Sequence, residues 1–289
     1  MFSNKSIRMS MKTFKLLHFN RYFSSVTSQP PVGKAKFNLS SKVALVTAST
    51  DGIGFSIAQR LAQSGATVLI SSRKLANVER AVQQLKDEGL QSVDGLVCHV
   101  GNPDDRLKLV EYIKTKYNGL DIFVSNAATN PAVGPILDTE ESVFDKIFEI
   151  NVKSAFLMTK LLVPLMERRK GDKSIVYISS IAGYQIMPAI ATYSVSKTAL
   201  LGLTKAVALN CASMQIRVNC VCPGIIKTKF SQVLWQNDSF QDGFGSMALI
   251  DRVGESNEIS SLVTFLVSEE ASYITGESFV AAGGIYSRL

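Results

Sequence analysis

Histidine is scarce in this 289-residue chain, which holds only His18 and His99. His18 lies in a basic N-terminal arm, so the body keeps one imidazole. That disfavours Ser-His-Asp hydrolysis, in which a histidine must take the proton of the nucleophile. Cysteine is thin as well. Four residues (Cys98, Cys211, Cys220, Cys222) in a chain of this length are not a disulfide framework. Cys220 and Cys222 fall in Arg217–Cys222, which reads as a buried strand, and no second pair accompanies them. No metal site is expected. No run of about 18 apolar residues occurs, so no transmembrane helix is expected either. Acid is missing from one place in particular: no carboxylate side chain precedes Asp51.

That last absence explains the charge. The net +7 comes from 31 Lys and Arg against 24 Asp and Glu, and seven of the bases are Lys5, Arg8, Lys12, Lys15, Arg21, Lys34 and Lys36. Beyond them, 24 bases face 24 acids. A neutral body is not the footprint of a nucleic-acid binder. The arm itself is cationic and rich in Ser, with apolar Phe14, Leu16, Leu17, Phe19 and Phe23, the composition of a mitochondrial transit peptide. Arg21-Tyr22-Phe23-Ser24 also fits a matrix-protease cleavage pattern, and Pro30-Pro31-Val32-Gly33 reads as a linker. At the other end, Ser287-Arg288-Leu289 is a conservative variant of the Ser-Lys-Leu peroxisomal address. The expectation is a leader and linker over 1–37, one catalytic domain over 38–289, and a mitochondrial location, a peroxisomal one, or both.

The domain alternates short β-branched runs with amphipathic stretches. Lys42–Thr47, Thr67–Ser71, Val93–His99, Asp121–Ser125, Ser174–Ile178, Ile216–Val221 and Glu277–Ala281 read as strands. Helices are expected near 52–64, 75–88, 104–117, 141–168, 193–211 and 257–267, with Gly65 and Gly89 stopping the first two. Strands interleaved with helices give parallel βαβ units, hence an α/β fold with a Rossmann-type doubly wound parallel sheet.

Chemistry enters where the first strand ends. The turn Thr47, Ala48, Ser49, Thr50, Asp51, Gly52, Ile53, Gly54 precedes a helix, the place where such a sheet binds a dinucleotide. Glycine lets the backbone approach a pyrophosphate, and the helix N-terminus supplies free N–H groups. The second strand ends in Ser71, Ser72, Arg73 and Lys74. A carboxylate there would accept from a free ribose 2′-OH; a hydroxyl with a guanidinium instead favours a 2′-phosphate, so the expected cofactor is NADP(H). Further on, Ser180 is followed by Tyr193 and Lys197, the last two one helical turn apart on a shared face. A phenol titrates near 10. A neighbouring ammonium is expected to lower that value, making Tyr193 a general acid/base, while Ser180 holds the substrate oxygen.

Together with Ser125-Asn126-Ala127-Ala128, Asn151-Val152 and Pro223–Thr228, these residues make the chain resemble the short-chain dehydrogenase/reductase family over nearly all of 40–284. The resemblance implies that Tyr193 is the acid/base and that Lys197 lowers its pKa and binds the nicotinamide ribose. It also implies that Ser180 orients the carbonyl and that Asn151 holds a water linking Lys197 to solvent. Asn126 and Ala127 would line the cofactor, and Ile226 and Thr228 would contact its carboxamide. Three departures stand out. Ala48 and Ala128 replace glycines of the family pattern, each adding one methyl, and His99 stands where the family places an Asp near the adenine. The branch it resembles is that of NADPH-dependent carbonyl and retinal reductases, which implies reduction of ketones, dicarbonyls and retinal by a homotetramer. A 3-oxoacyl-thioester reductase of an organelle would use the same four residues, and a non-catalytic dinucleotide-binding subunit is the remaining alternative. By resemblance, Phe230, Val233, Leu234, Trp235 and the stretch to Gly243-Phe244-Gly245 form a substrate lid.

Overall fold

The computed structural model describes residues 37–131, 133–235 and 248–285. The basic arm up to Lys36, the Gly243–Gly245 end of the lid and the Ser287–Leu289 terminus lie outside these residues. Seven strands form one parallel sheet: β1 (Val43–Val46), β2 (Thr67–Ser72), β3 (Val93–Val97), β4 (Ile122–Ser125), β5 (Lys173–Ile178), β6 (Ile216–Pro223) and β7 (Ser278–Ala281). Their order is β3-β2-β1-β4-β5-β6-β7. The helices are α1 (Gly52–Gln63), α2 (Leu75–Asp87), α3 (Pro103–Tyr117), α4 (Glu141–Phe148), α5 (Ser154–Met166), α6 (Ala191–Cys211) and α7 (Ser256–Val267).

Both faces of the sheet are covered, which is why its strands are apolar throughout rather than alternating. In β1, Leu45 joins Leu69, Phe123 and Ile175 under α3, α5 and α6, which contribute Leu109, Met158, Leu162 and Leu200. Ala44 and Val46 face the other way, with Val68, Ile70 and Val124 under α1, α2 and α7. Strand pairing registers Leu45 with Leu69 and with Phe123, so each layer is continuous across three strands.

Three local features differ from the sequence reading. The stretch expected to be one helix over 141–168 is broken between α4 and α5 by a π-helical turn, Glu149–Lys153. Strand β3 ends at Val97, so Cys98 and His99 belong to the turn that follows it. Helix α6 starts two residues before Tyr193, at Ala191. The glycine stops are as expected: Gly65 and Gly89 have φ of +95° and +87°, the left-handed region where a Cβ is costly.

The order in which strands are added to the sheet reverses between β3 and β4, which flank opposite sides of the β2–β1 pair. The crevice beyond the C-terminal ends of β1 and β4 is therefore the topological switch point, where open α/β sheets bind ligands.

Candidate active site

A cavity of about 790 Å³ opens at this switch point. Its first wall is the turn after β1. Thr47 Oγ1 accepts from Asn126 N at 3.1 Å, and Asn126 Nδ2 donates to the carbonyls of Thr47 and Ala48 at 3.1 and 3.0 Å. These bonds lock the β1 turn to the end of β4. They also explain Gly54: a Cβ there would stand 2.4 Å from Asn126 Nδ2 and 2.7 Å from the Ala48 carbonyl oxygen. The constraint at Gly54 is thus internal packing of the turn. Gly52 has φ +55° and faces Thr228 across the cleft. Ala48, in place of the family's glycine, is held at φ +50°, a conformation that burdens any residue with a Cβ.

The dinucleotide-binding residues read from the sequence separate into two groups. Asp51, Gly52, Ile53, Gly54, Ser72, Arg73, Asn126, Ala127, Tyr193, Lys197, Ile226 and Thr228 line the cavity. Thr47, Ser49, Thr50 and Lys74 do not. Ser49 is fully buried; its hydroxyl donates to Val46 O at 2.6 Å and accepts from Ser71 N, tying β1 to β2. Lys74 is exposed and precedes α2. Arg73 is exposed at the cavity mouth beside Ser72 and makes no ion pair among the described residues. A free guanidinium there, with a hydroxyl next to it, fits a phosphate better than a ribose diol. His99, left out of the sequence-derived set, also lines the cavity, its Nδ1 accepting from Gly101 N at 3.1 Å.

The second wall comes from β5, α6 and the π turn. Tyr193 and Lys197 are both buried on α6. Ser180, following β5, lines the same cavity as Tyr193, and its hydroxyl accepts from Ala182 N at 3.1 Å. Lys197 Nζ donates to Ile178 O at 2.8 Å and lies 5.4 Å from the Tyr193 ring centroid. Burial pushes the Tyr193 phenol well above its ordinary range, opposed by the Ser180 hydroxyl. Burial also pulls Lys197 down to about 8. Desolvation, which spacing alone does not reveal, is thus the largest influence on the phenol and on the lysine alike.

Asn151 does not line the cavity. Its Oδ1 accepts from Thr129 N at 2.8 Å, and its Nδ2 donates to Thr129 O at 3.1 Å and to Ser196 Oγ at 2.9 Å. Ser196 in turn donates to Tyr193 O at 2.7 Å. The amide group expected to hold a water is engaged on both ends by protein, clamping the β4 loop to the tyrosine-bearing turn. Thr129, Ser196 and the Ile178 carbonyl were missed in the sequence because nothing in their residue types marks them; the π turn brings Asn151 to Thr129 and Ser196.

The remaining cavity wall is greasy: Ile181, Met187, Ile190 and Phe230 surround Tyr193. The Phe230 ring lies 6.0 Å from that of Tyr193.

A phenol, a hydroxyl and a lysine meeting at the switch point beside a glycine turn is the arrangement of a dinucleotide-dependent oxidoreductase. A family model described as Enoyl-(Acyl carrier protein) reductase matches residues 47–286. The chain is 54% identical over 258 residues to dehydrogenase/reductase SDR family member 4 of Bos taurus, spanning 89% of this chain and 92% of that one. It belongs to the short-chain dehydrogenase/reductase family. It is also 50% identical over 245 residues to human dehydrogenase/reductase SDR family member 2, mitochondrial, covering 85% of this chain and 86% of that protein. Among solved structures, L-sorbose reductase from Gluconobacter frateurii, complexed with NADPH and L-sorbose, superposes with a TM-score of 0.81 at 29% identity, covering 87% of this chain and 99% of that one. The family is one of nicotinamide-dinucleotide oxidoreductases, and the similarity to family member 4 is consistent with carbonyl reduction.

Proposed function

We propose that this oxidoreductase reduces ketone and aldehyde carbonyls, including aromatic ketones, dicarbonyls and retinal-like substrates, with NADPH. With its pyrophosphate at the glycine turn, NADPH would supply the hydride that goes to the carbonyl carbon. The chain supplies the rest. Ser180 and Tyr193 hold the carbonyl oxygen, and Tyr193 passes its proton to that oxygen as negative charge develops there. Lys197 keeps a positive charge beneath the phenolate that remains. The apolar wall around Tyr193 desolvates the reacting carbonyl and suits lipophilic substrates.

The observation that carries the reading is that Tyr193, Ser180 and Lys197 meet in one cavity with an apolar wall, Lys197 Nζ lying 5.4 Å from the Tyr193 ring centroid. Burial favours the neutral phenol, the form that gives a proton. Tyr193→Phe should lower turnover roughly 10²–10⁴-fold, the range of a lost general acid, while NADPH binding followed by fluorescence persists. Turnover kept within a few-fold would overturn the role. A panel of retinal, diketones and acetoacetyl thioesters run beside it separates carbonyl reduction from the thioester alternative. Arg73 and Ser72 support NADPH over NADH, so a lower KM for NADH would overturn the cofactor assignment.

Two wider parts of the reading rest on other features. The basic leader and the Ser287-Arg288-Leu289 end support mitochondrial and peroxisomal destinations. Exposed apolar side chains on the outer helices support a homotetramer: Phe144 on α4, Phe156 on α5, and Val195 and Leu209 on α6.

A further inference from the structure

The loop after β6 sends three consecutive side chains to three different parts of the cleft. Thr228 lies against the glycine turn, where a Cβ on Gly52 would stand 3.1 Å from its Cγ2. Lys229 Nζ donates to Asp51 Oδ2 at 2.6 Å. Phe230 lies beside Tyr193. Asp51 meanwhile uses its other oxygen to cap α1, Oδ1 accepting from Gly52 N at 2.8 Å. Strands β4 and β5 stand between β1 and β6, a separation of about 14 Å at the usual strand spacing. Asp51 and Lys229 both line the cavity. Their ion pair therefore spans the crevice from the turn on one side to the loop on the other.

The loop is anchored at its base. Lys227 N donates to Gly254 O at 2.8 Å, and Gly254 N donates back to Ile225 O at 3.0 Å. Trp235 Nε1 donates to Thr228 O at 2.9 Å, and the Ser231 hydroxyl donates to Ile226 O. Lys227, two residues earlier, takes the opposite course and lies over the Trp235 ring at 5.6 Å. Of the two lysines, only Lys229 crosses the cleft.

We propose that Lys229 and Asp51 form a cofactor clasp, an ion pair that holds the loop shut over the bound dinucleotide and sets its rate of release. This rests on the dinucleotide reading above. Because Phe230 is the next residue, the same closure seats the apolar wall against Tyr193. Lys229 is thus a positioning residue. Its side chain is 78% exposed and that of Asp51 51%, so the pair is weak and screened, suited to opening in every catalytic cycle.

The test is a double-mutant cycle on the full chain, with NADPH release measured by stopped-flow fluorescence. The variants are Lys229→Met, Asp51→Asn and the double substitution. Asparagine caps a helix as well as aspartate does, so Asp51→Asn removes the charge and keeps the cap. Each single variant should speed release about two- to fivefold, the range of an exposed ion pair. The double variant should be no faster than either single one. Additive effects would mean that Lys229 acts on the cofactor directly, and would overturn the clasp; so would unchanged release in both single variants. A wild-type chain that binds neither NADPH nor NADH would overturn the cofactor reading and the clasp with it, whereas binding without coupling overturns the clasp alone.

Discussion

Burial disfavours the charged forms of both Tyr193 and Lys197, one helical turn apart, and so moves their pKa values in opposite directions. It raises the phenol, and it lowers the ammonium to about 8. Lys197 is therefore the group whose charge changes near working pH. Below about 8 it is an ammonium that stabilises the phenolate formed on proton transfer; above, it is neutral and that stabilisation is lost. Carbonyl reduction, read as kcat/KM, should hold steady near neutrality and fall as pH rises through about 8, and a profile flat to pH 10 would contradict this. The same shift costs stability. A lysine lowered from 10.5 to about 8 destabilises the fold fully at pH below the lower value, and the cost fades between the two as pH rises. Spacing in the sequence placed the two side chains together. It could not weigh desolvation against attraction, because that balance depends on the residues packed around both.

Secondary-structure elements position this pair from below as well as from the side. Asp121, just before β4, is 2% exposed; its carboxylate accepts from Val43 N at 2.8 Å and from Arg169 Nε at 3.0 Å. It thereby joins the N-terminal ends of β1 and β4 to the end of α5, opposite the cavity. Asp121→Ala would strand the Val43 N–H and the guanidinium, costing about 2–3 kcal/mol, moderated because Arg169 is partly exposed. Thermal unfolding should show a midpoint lower by roughly 5–10 °C, and an unchanged midpoint would rule out this brace. The π turn is the element the sequence hid. An extra residue in one turn barely disturbs a hydrophobic period of 3.6, so 141–168 reads as a single helix. Yet that turn carries Asn151 to Thr129 and Ser196. Asn151 was legible as a site residue by resemblance, but its hydrogen-bonding partners were not.

At the scale of the whole molecule, α4, α5 and α6 leave apolar side chains in water. Leu209 is 81% exposed and Phe156 47%. An assembly of four chains would cover such faces. Light scattering should give the mass of a tetramer, and Phe156→Glu with Leu209→Glu should shift it to smaller species with the far-UV circular dichroism retained. A monomeric wild type would sink the assembly, and an intact tetramer in the double variant would place its interface elsewhere. Among the described residues no helix is long and apolar enough to cross a membrane.

By itself the sequence determined the alternation of strands and helices, the glycine turn, and the Ser180–Tyr193–Lys197 set. These depend on period and short-range spacing, which are written in the order of residues. The tertiary structure decided what depends on approach between distant segments. Gly54 is required by Asn126, 72 positions along the chain. Ser49 and Thr47 stitch strands, and Asn151 clamps a loop. Lys229 reaches Asp51 only because the sheet order sets the loop after β6 across the crevice from the turn after β1. Burial, too, is a property of the folded chain, and it sets the direction in which Tyr193 and Lys197 shift.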